Sequence, residues 1–426
     1  MIIFHIDANT AYLSWSARAL LERGATLDLR TVPSAVGGSQ ASRHGIVLAK
    51  SIPAKKHGVK TGESLFEARQ KCPDLLVISP DYDLYMGCSD AMYSILAEYS
   101  PVIQRYSIDE CFLDYTASAG CFGDALAAAA DIQRRMRCEL GFTVNIGISS
   151  NKLLAKMASE MEKPDRIHTL FPEEIPEKMW PLPVSELFMV GRATAKKLAA
   201  INVRTIGELA AMDRRQLVAM LKSHGELIGQ YARGIDSTPV IPNDRILQKG
   251  IGNSMTIFYD VTDRSELHAY LLSLCERASA RLRGQRVRAS LISVSFRTDV
   301  FASRQHQRQL SLYTDRTSEI YRIARMLVDE CWMGEPVRQL GVSLGAFSRT
   351  DQEQLSVFDR TDQERLPVFG RGEELESRSV DACVDDIRAR YGTDAIMRGV
   401  FANTTIKPME GGVNEGQFLM MGGYGL

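Results

Sequence analysis

Three carboxylates carry the strongest chemical suggestion in this chain: Asp7, at the end of the apolar opening MIIFHID, and the adjacent Asp109 and Glu110 in Ser107-Ile108-Asp109-Glu110. Acids that converge in this way suit metal-assisted phosphoryl transfer, in which two divalent cations roughly 4 Å apart activate an attacking oxygen and stabilise a leaving one. Hard cations of that kind take oxygen ligands. Each acid taken singly has a plainer reading, since an Asp after a strand commonly caps a helix and Asp-Glu in a turn is commonly a solvated corner.

The elements around them decide whether they meet. Residues 1–7 read as a buried strand ending at an acid, and 10–23 as a helix. Residues 27–75 are basic and contain Gly and Ser, with strand-like pieces at 31–36 and 45–49 and a helix at 64–71, as in a small inserted subdomain. A strand (75–79), a helix (84–99), a strand pair (104–108 and 111–115), an Ala-rich helix (125–140), a strand (143–149) and a helix (152–161) follow. This βαββαβ order matches the split βαβ arrangement, which presents carboxylates from adjacent strands on one side of a sheet. The Pro-rich stretch 172–183 reads as a linker, short helices run to Gly234, and 235–248 read as a second linker. Strand, helix, strand, strand, helix and strand then extend to Phe347 as a separate α+β domain. Beyond it, TDQEQLSVFDR (350–360) is followed at once by the near-copy TDQERLPVFGR (361–371), then by a helix-like segment (381–390) and a Gly- and Met-rich end expected to be flexible.

Length and composition fit a multidomain globular protein: 426 residues, 45% apolar, with mixed charge. The opening lacks a basic region before its apolar residues and contains Asp7, so it reads neither as a secretory signal nor as a membrane anchor, and a cytoplasmic location is expected. Eight cysteines without a CxxC pair argue against a zinc site and against a disulfide framework. The formal net charge of -1 hides segregation. Basic residues outnumber acids from 188 to 233, and Arg281, Arg283, Arg286, Arg288, Arg297, Arg304 and Arg308 face only Asp299 between 281 and 308. Such runs serve either as solvated surface or as a phosphate-binding face.

The flanks of the acids turn these readings into a resemblance. Ile6-Asp7-Ala8-Asn9-Thr10-Ala11-Tyr12, Ser107-Ile108-Asp109-Glu110, and the block from Gly147-Ile148-Ser149-Ser150-Asn151-Lys152 through Ala158-Ser159 to Lys163-Pro164 match, in order, three motifs of the Y-family DNA polymerases. Over about residues 1–350 the chain resembles that family, the translesion class, in its bacterial DinB/UmuC-like branch. The Asn of the opening is most similar to the UmuC-like members. The resemblance implies a multidomain α+β fold: a ferredoxin-like palm (1–26 and 76–171), a small fingers insertion (27–75), a helical thumb containing a helix-hairpin-helix (172–240), an α+β little finger (245–349) and a tail (350–426).

It also implies roles. Asp7, Asp109 and Glu110, with the Ala8 carbonyl, would hold two Mg²⁺, and Glu110 would poise the primer 3′-hydroxyl. Tyr12 falls at the steric gate that excludes a ribose 2′-hydroxyl, and Lys163 would reach the triphosphate of the dNTP. Ile52 and Lys55 stand where relatives carry a Tyr-x-x-Arg clamp, and Lys55 lacks the guanidinium's bidentate fork. The hairpin Phe188-Met189-Val190-Gly191-Arg192, with Lys196, would offer amides and cations to phosphates of primer-template DNA, Met189 replacing the usual first Gly. Arg281, Arg283, Arg286 and Arg288 would line the duplex. Gln354-Leu355-Ser356-Val357-Phe358 resembles the peptide that binds the sliding clamp (beta subunit), with Gln354, Leu355, Val357 and Phe358 as its contacts. Low fidelity, action as a monomer and no membrane partner complete the expectation. Two other readings remain open from sequence: a catalytically silent clamp-bound adaptor, and a different Mg²⁺ enzyme on the same palm, such as a nucleotide cyclase.

Overall fold

The structure, a computed structural model, describes residues 1–38, 43, 45–246, 248–349, 371–402 and 404–411. Of the described residues, 1–38 and 45–246 form one compact unit and 43, 248–349, 371–402 and 404–411 the other.

The first unit opens with β1 (Ile3–Ala8) and α1 (Ala11–Glu22), after which β2 (Ser34–Gly37), β3 (Val47–Lys50), α2 (Ile52–Lys56), α3 (Leu65–Lys71) and β4 (Leu76–Ile78) form the insertion. α4 (Tyr82–Ala97), β5 (Ile103–Arg105), β6 (Glu110–Asp114), α5 (Ala119–Phe122), α6 (Ala125–Leu140), β7 (Val144–Ser149), α7 (Lys152–Ser159) and β8 (Ile167–Thr169) return the chain to the main sheet. That sheet has the order β5-β6-β1-β7-β8, so the N-terminal strand is central and every residue of β1 is buried. Alternation splits β1 between two faces. Phe4, Ile6 and Ala8 join the core that includes residues of α4 and α6, while Ile3 packs with Phe112, Ala155 and Val240 on the other side, where α7 crosses.

α7 can lie this close because of Gly147, opposite His5 in the register. A Cβ there would sit 2.0 Å from the Ala155 carbonyl oxygen and 2.5 Å from the Ser159 nitrogen. Helix ends follow their side chains: Asp124 accepts from Leu126 and Ala127 to start α6, and Asn151 accepts from Leu154 to start α7.

Two boundaries differ from the expectation. β4, expected to belong to the palm, pairs parallel with β2, so the three-stranded insertion sheet β3-β2-β4 extends through Ile78. Its length and apolar character gave no clue to which sheet it would join. The stretch 172–183 is no free linker either: α8 (Ile175–Lys178) buries Ile175, and Met179 is buried after it. Both join α9 (Arg192–Ala199), α10 (Ile206–Ala211), α11 (Arg214–Leu221) and α12 (Ser223–Ala232) around one helical core. Residues 235–246 are likewise pinned, Asp236 accepting from the Leu153 nitrogen and Asn243 from that of Arg105.

The second unit has β9 (Gly250–Val261), α13 (Arg264–Gly284), β10 (Arg288–Thr298), β11 (Ser303–Thr314), α14 (Thr317–Cys331) and β12 (Val337–Ser348), with sheet order β11-β10-β12-β9. Both long helices share the apolar core of one sheet face. The described part of the C-terminal segment was expected to be a tail, but it belongs to this unit. α15 (Arg371–Tyr391) extends the expected helix, and Phe401 and Ile406 enter the core. Asn253 donates to the Glu410 carbonyl and Ser273 to that of Lys407. Glu276, 3% exposed, accepts from Arg388 and Arg398. All but the last residue of the repeat 350–371 lies outside the described residues.

Candidate active site

The antiparallel register sets Asp7 of β1 directly opposite Glu110 of β6, and the Ala8 nitrogen donates to the Asp109 carbonyl at 2.9 Å. Carboxylate oxygens of Asp7, Glu110 and Glu160 lie within 4.8 Å of one another. Asp109 lines the same cleft, but its carboxylate accepts the Ser107 hydroxyl at 2.5 Å instead of joining that trio.

Two lysines neutralise the group. Lys163 lies 2.9 Å from both Asp7 and Glu160, and Lys156 lies 2.9 Å from Glu110, with its ammonium over the Tyr106 ring. The Lys163 turn is held by Asn9, whose amide oxygen accepts from the Asp165 nitrogen and the Thr143 hydroxyl while its nitrogen donates to Asn145. Asn145 in turn donates to the Ser159 and Glu162 carbonyls. The Asn of the opening motif thus ties the strand that carries Asp7 to the loop that carries Lys163.

Electrostatics marks the site as short of positive charge. Burial raises the Asp7 carboxyl to about 8, with Lys163 opposing and Glu110 and Glu160 reinforcing the rise. Burial also raises Asp109, against its bond from Ser107. Burial would lift Glu110 too, but His5 and Lys156 outweigh it and hold that carboxyl down to about 2. Lys163 would be lowered by burial and is instead raised by Asp7 and Glu160. Crowded, desolvated carboxylates of this kind fit a divalent cation, which favours the ionised form of every acid it touches.

The cleft, about 700 Å³, is lined by Asp7, Ala8, Tyr12, Asp109, Glu110 and Lys163, and across from them by Ile52 and Lys55 of α2. The Tyr12 ring stacks on Tyr85 with centroids 4.5 Å apart, so it forms a fixed wall. Every residue singled out for metal or nucleotide therefore borders one space. His5, Lys156 and Glu160 had no assigned role in the sequence reading. The i, i+4 spacing of Lys156 and Glu160 in the expected helix 152–161 was the available signal.

The candidate nucleic-acid residues separate. Gly191 caps α9, with Arg192 and Lys196 exposed. Met189 adopts φ 72, holding the left-handed conformation that Gly normally supplies at this turn. In the second unit, Arg281 donates to the Gly252 carbonyl, Arg286 occupies the turn after α13, and Arg288 opens β10. Arg283 departs from the expected duplex-lining set: its guanidinium is half-enclosed against Asp385, Asp381 and Thr317, a partnership invisible without the fold-back of α15. Arg304 and Arg308 pair with Glu335 and Glu330. The sheet face away from the helices carries Ser254, Ser295, Gln305, Gln339 and Gly341, and β10, β11 and β12 contain no acid. Gln354, Leu355, Val357 and Phe358 lie outside the described residues.

Comparison with solved structures gives the class. A Y-family DNA polymerase chimera, Dbh-Dpo4(243-245)-Dbh, superposes with a TM-score of 0.72 over 82% of this chain and 100% of its own, at 20% identity. A Dbh ternary complex gives 0.57 at 21% identity. The fold is therefore the multidomain α+β architecture of a ferredoxin-like palm with fingers, thumb and little finger. Family models agree: the impB/mucB/samB family matches residues 6–160, its C-terminal domain 248–357, and the IMS family HHH motif 172–203.

Among curated proteins, DNA polymerase IV of Clostridium acetobutylicum is 44% identical over 94% of this chain and 98% of its own length. DNA polymerase IV of Acetivibrio thermocellus is 36% identical over 94% and 97%, and DNA polymerase IV 1 of Bacillus subtilis 35% over 93% and 92%. The chain belongs to the Y-family DNA polymerases, the DNA-directed translesion class, in its DinB-like DNA polymerase IV branch. No helix among the described residues is long and apolar enough to cross a membrane.

Proposed function

We propose that this chain extends primers past damaged template bases by two-metal nucleotidyl transfer at the Asp7, Asp109 and Glu110 cleft. The observation that carries the reading is the crowding of carboxylates at one end of a cleft also lined by Tyr12, Lys55 and Lys163. Two Mg²⁺ held by Asp7, Asp109, Glu110 and the Ala8 carbonyl would supply activation of the primer 3′-hydroxyl and stabilisation of the leaving pyrophosphate. Lys163 exchanges its Asp7 contact for the triphosphate of the incoming dNTP, with Glu160 retaining it on the other side. Lys55 adds a point charge where a bidentate clamp is absent. Tyr12, braced by Tyr85, excludes the ribose 2′-hydroxyl.

Residues 1–26 with the main-sheet elements serve as palm, the insertion through Ile78 as fingers, 172–240 as thumb and 245–349 as little finger. Primer-template phosphates meet Gly191, Arg192 and Lys196 in the thumb, and Arg281, Arg286, Arg288 and the outer face of the acid-free strands β10, β11 and β12 in the little finger. Gln354, Leu355, Val357 and Phe358 recruit the sliding clamp, on the strength of the pentapeptide alone. A cytoplasmic monomer of low fidelity is what the family resemblance implies.

Primer extension on a primed template with Mg²⁺ and dNTPs tests this directly. Wild type extends and Asp109→Ala with Glu110→Ala does not. A well-folded, DNA-binding wild type that fails to extend, even with the clamp present, leaves the silent-adaptor reading. Tyr12→Ala is expected to admit ribonucleotides, read as rNTP incorporation on the same template.

A further inference from the structure

His5 is fully buried in β1, between apolar neighbours Phe4 and Ile6, and nothing in the proposed chemistry uses it. It lies on the same strand face as Asp7, two residues away, with its ring against Phe112 at a centroid distance of 4.6 Å. Nδ1 lies 2.7 Å from the Ser159 hydroxyl. Nε2 points at Glu110, 3.7 Å from Oε2, and has no partner at hydrogen-bond distance.

The surroundings select one protonation pattern. The Lys156 ammonium, 2.9 Å from the same Glu110 oxygen, opposes a second positive charge, as does burial of the ring. In a neutral ring, a hydrogen on Nδ1 would leave a buried lone pair on Nε2 facing an ionised carboxylate. A hydrogen on Nε2 instead places a donor there, and the Ser159 hydroxyl then turns its single proton from the Lys156 carbonyl, 2.8 Å away, to Nδ1 at 2.7 Å. Gly147 makes this possible by letting α7 bring Ser159 down to the strand.

We propose that His5 is a positioning residue for Glu110: its Nε2–H faces the carboxylate from the buried side at 3.7 Å and, by charge–dipole attraction, biases the acid toward the orientation in which it meets a cation. A carboxylate ligand held by an outer-shell donor binds metal more tightly than one left to rotate. The inference rests on the metal-site reading above, and the experiment separates the two.

Mn²⁺ is titrated into the full chain bound to a dideoxy-terminated primer-template and dNTP, and loss of the free-ion EPR signal gives the affinity. Extension kinetics and thermal melting accompany it. His5→Phe is expected to weaken Mn²⁺ binding on the order of 10-fold, with KM for dNTP at saturating metal unchanged. His5→Gln, which returns an amide N–H near the Nε2 position, is expected to recover most of the loss. Ser159→Ala, which removes the donor to Nδ1, weakens binding in the same direction by a smaller factor. A folded His5→Phe with parental Mn²⁺ affinity overturns the proposal, as does a His5→Gln no better than His5→Phe. Should His5→Phe not fold, parental affinity in Ser159→Ala overturns it. A parent that binds no Mn²⁺ removes the metal-site reading itself.

Discussion

In the cleft of the first unit, three carboxylates share two lysines and open onto about 700 Å³ of space. In the second unit, Glu276 and Asp381 are as buried as Asp7, yet Arg388, Arg398 and Arg283 meet them and backbone groups complete the set. One cluster is left needing positive charge from outside and the other is closed on itself. Burial of charge is common to both. What separates a candidate reaction centre from a structural clasp is whether the counter-charges match the acids and whether solvent-sized space adjoins them.

Exchanging an acid in each cluster breaks the comparison if the outcomes resemble each other. Asp7→Asn is expected to lower primer extension by ~10³-fold or more, since a metal ligand is worth several kcal/mol of transition-state charge stabilisation. The metal-free fold should survive that change. Asp7's folded carboxyl lies near 8 and its ordinary value is 3.8, so the folded state takes up the proton. The native carboxylate therefore erodes stability as pH rises between those values, and the Asn variant should lack that slope in chemical unfolding at several pH values. Glu276→Ala has the opposite signature. Arg388, with a side chain only 6% exposed, loses its carboxylate partner. Unfolding of the second unit should then need about 3–5 kcal/mol less, as a shift in urea midpoint.

The contrast sharpens with pH. A proton on the crowded acids competes with a cation, so Mn²⁺ affinity in the cleft should rise with pH toward about 8 and then level. The rise approaches roughly tenfold per pH unit for each proton displaced, and calorimetric titration at several pH values would measure it. The smallest effect concerns neither cluster. Met189→Gly relieves a left-handed backbone at φ 72 and should raise stability by up to about 1 kcal/mol, read by thermal melting, which would separate backbone strain from charge as a source of local instability.

Asp7 and Glu110 were legible because an apolar strand running into an acid, and an acid pair at a turn, are patterns within a few residues of sequence. The strand and helix order of both units follows similar local periodicity. His5 was not legible, since its meaning depends on Ser159 approaching from another element through the space left by Gly147. Glu160 and Lys156 had a helical spacing to suggest a shared face, but nothing to say that the face pointed at Glu110. β4 looked the same whichever sheet it joined, and Arg283 counted as a free cation until Asp381 and Asp385 came back from later in the chain. In each case the missing information was a long-range contact.

The fold-back of residues 380–411 bears on how such a protein can be recombined. The matched C-terminal family domain stops at residue 357, whereas Phe401 and Ile406 still fill the core of that unit. A swap between relatives cut at the family boundary would strand Glu276 with neither of its arginines and open an apolar hollow over α13. Exchange of the second unit between enzymes of this branch should therefore succeed only when the crossover carries the C-terminal segment with it, so that inheritance follows the packed core and not the recurring motif.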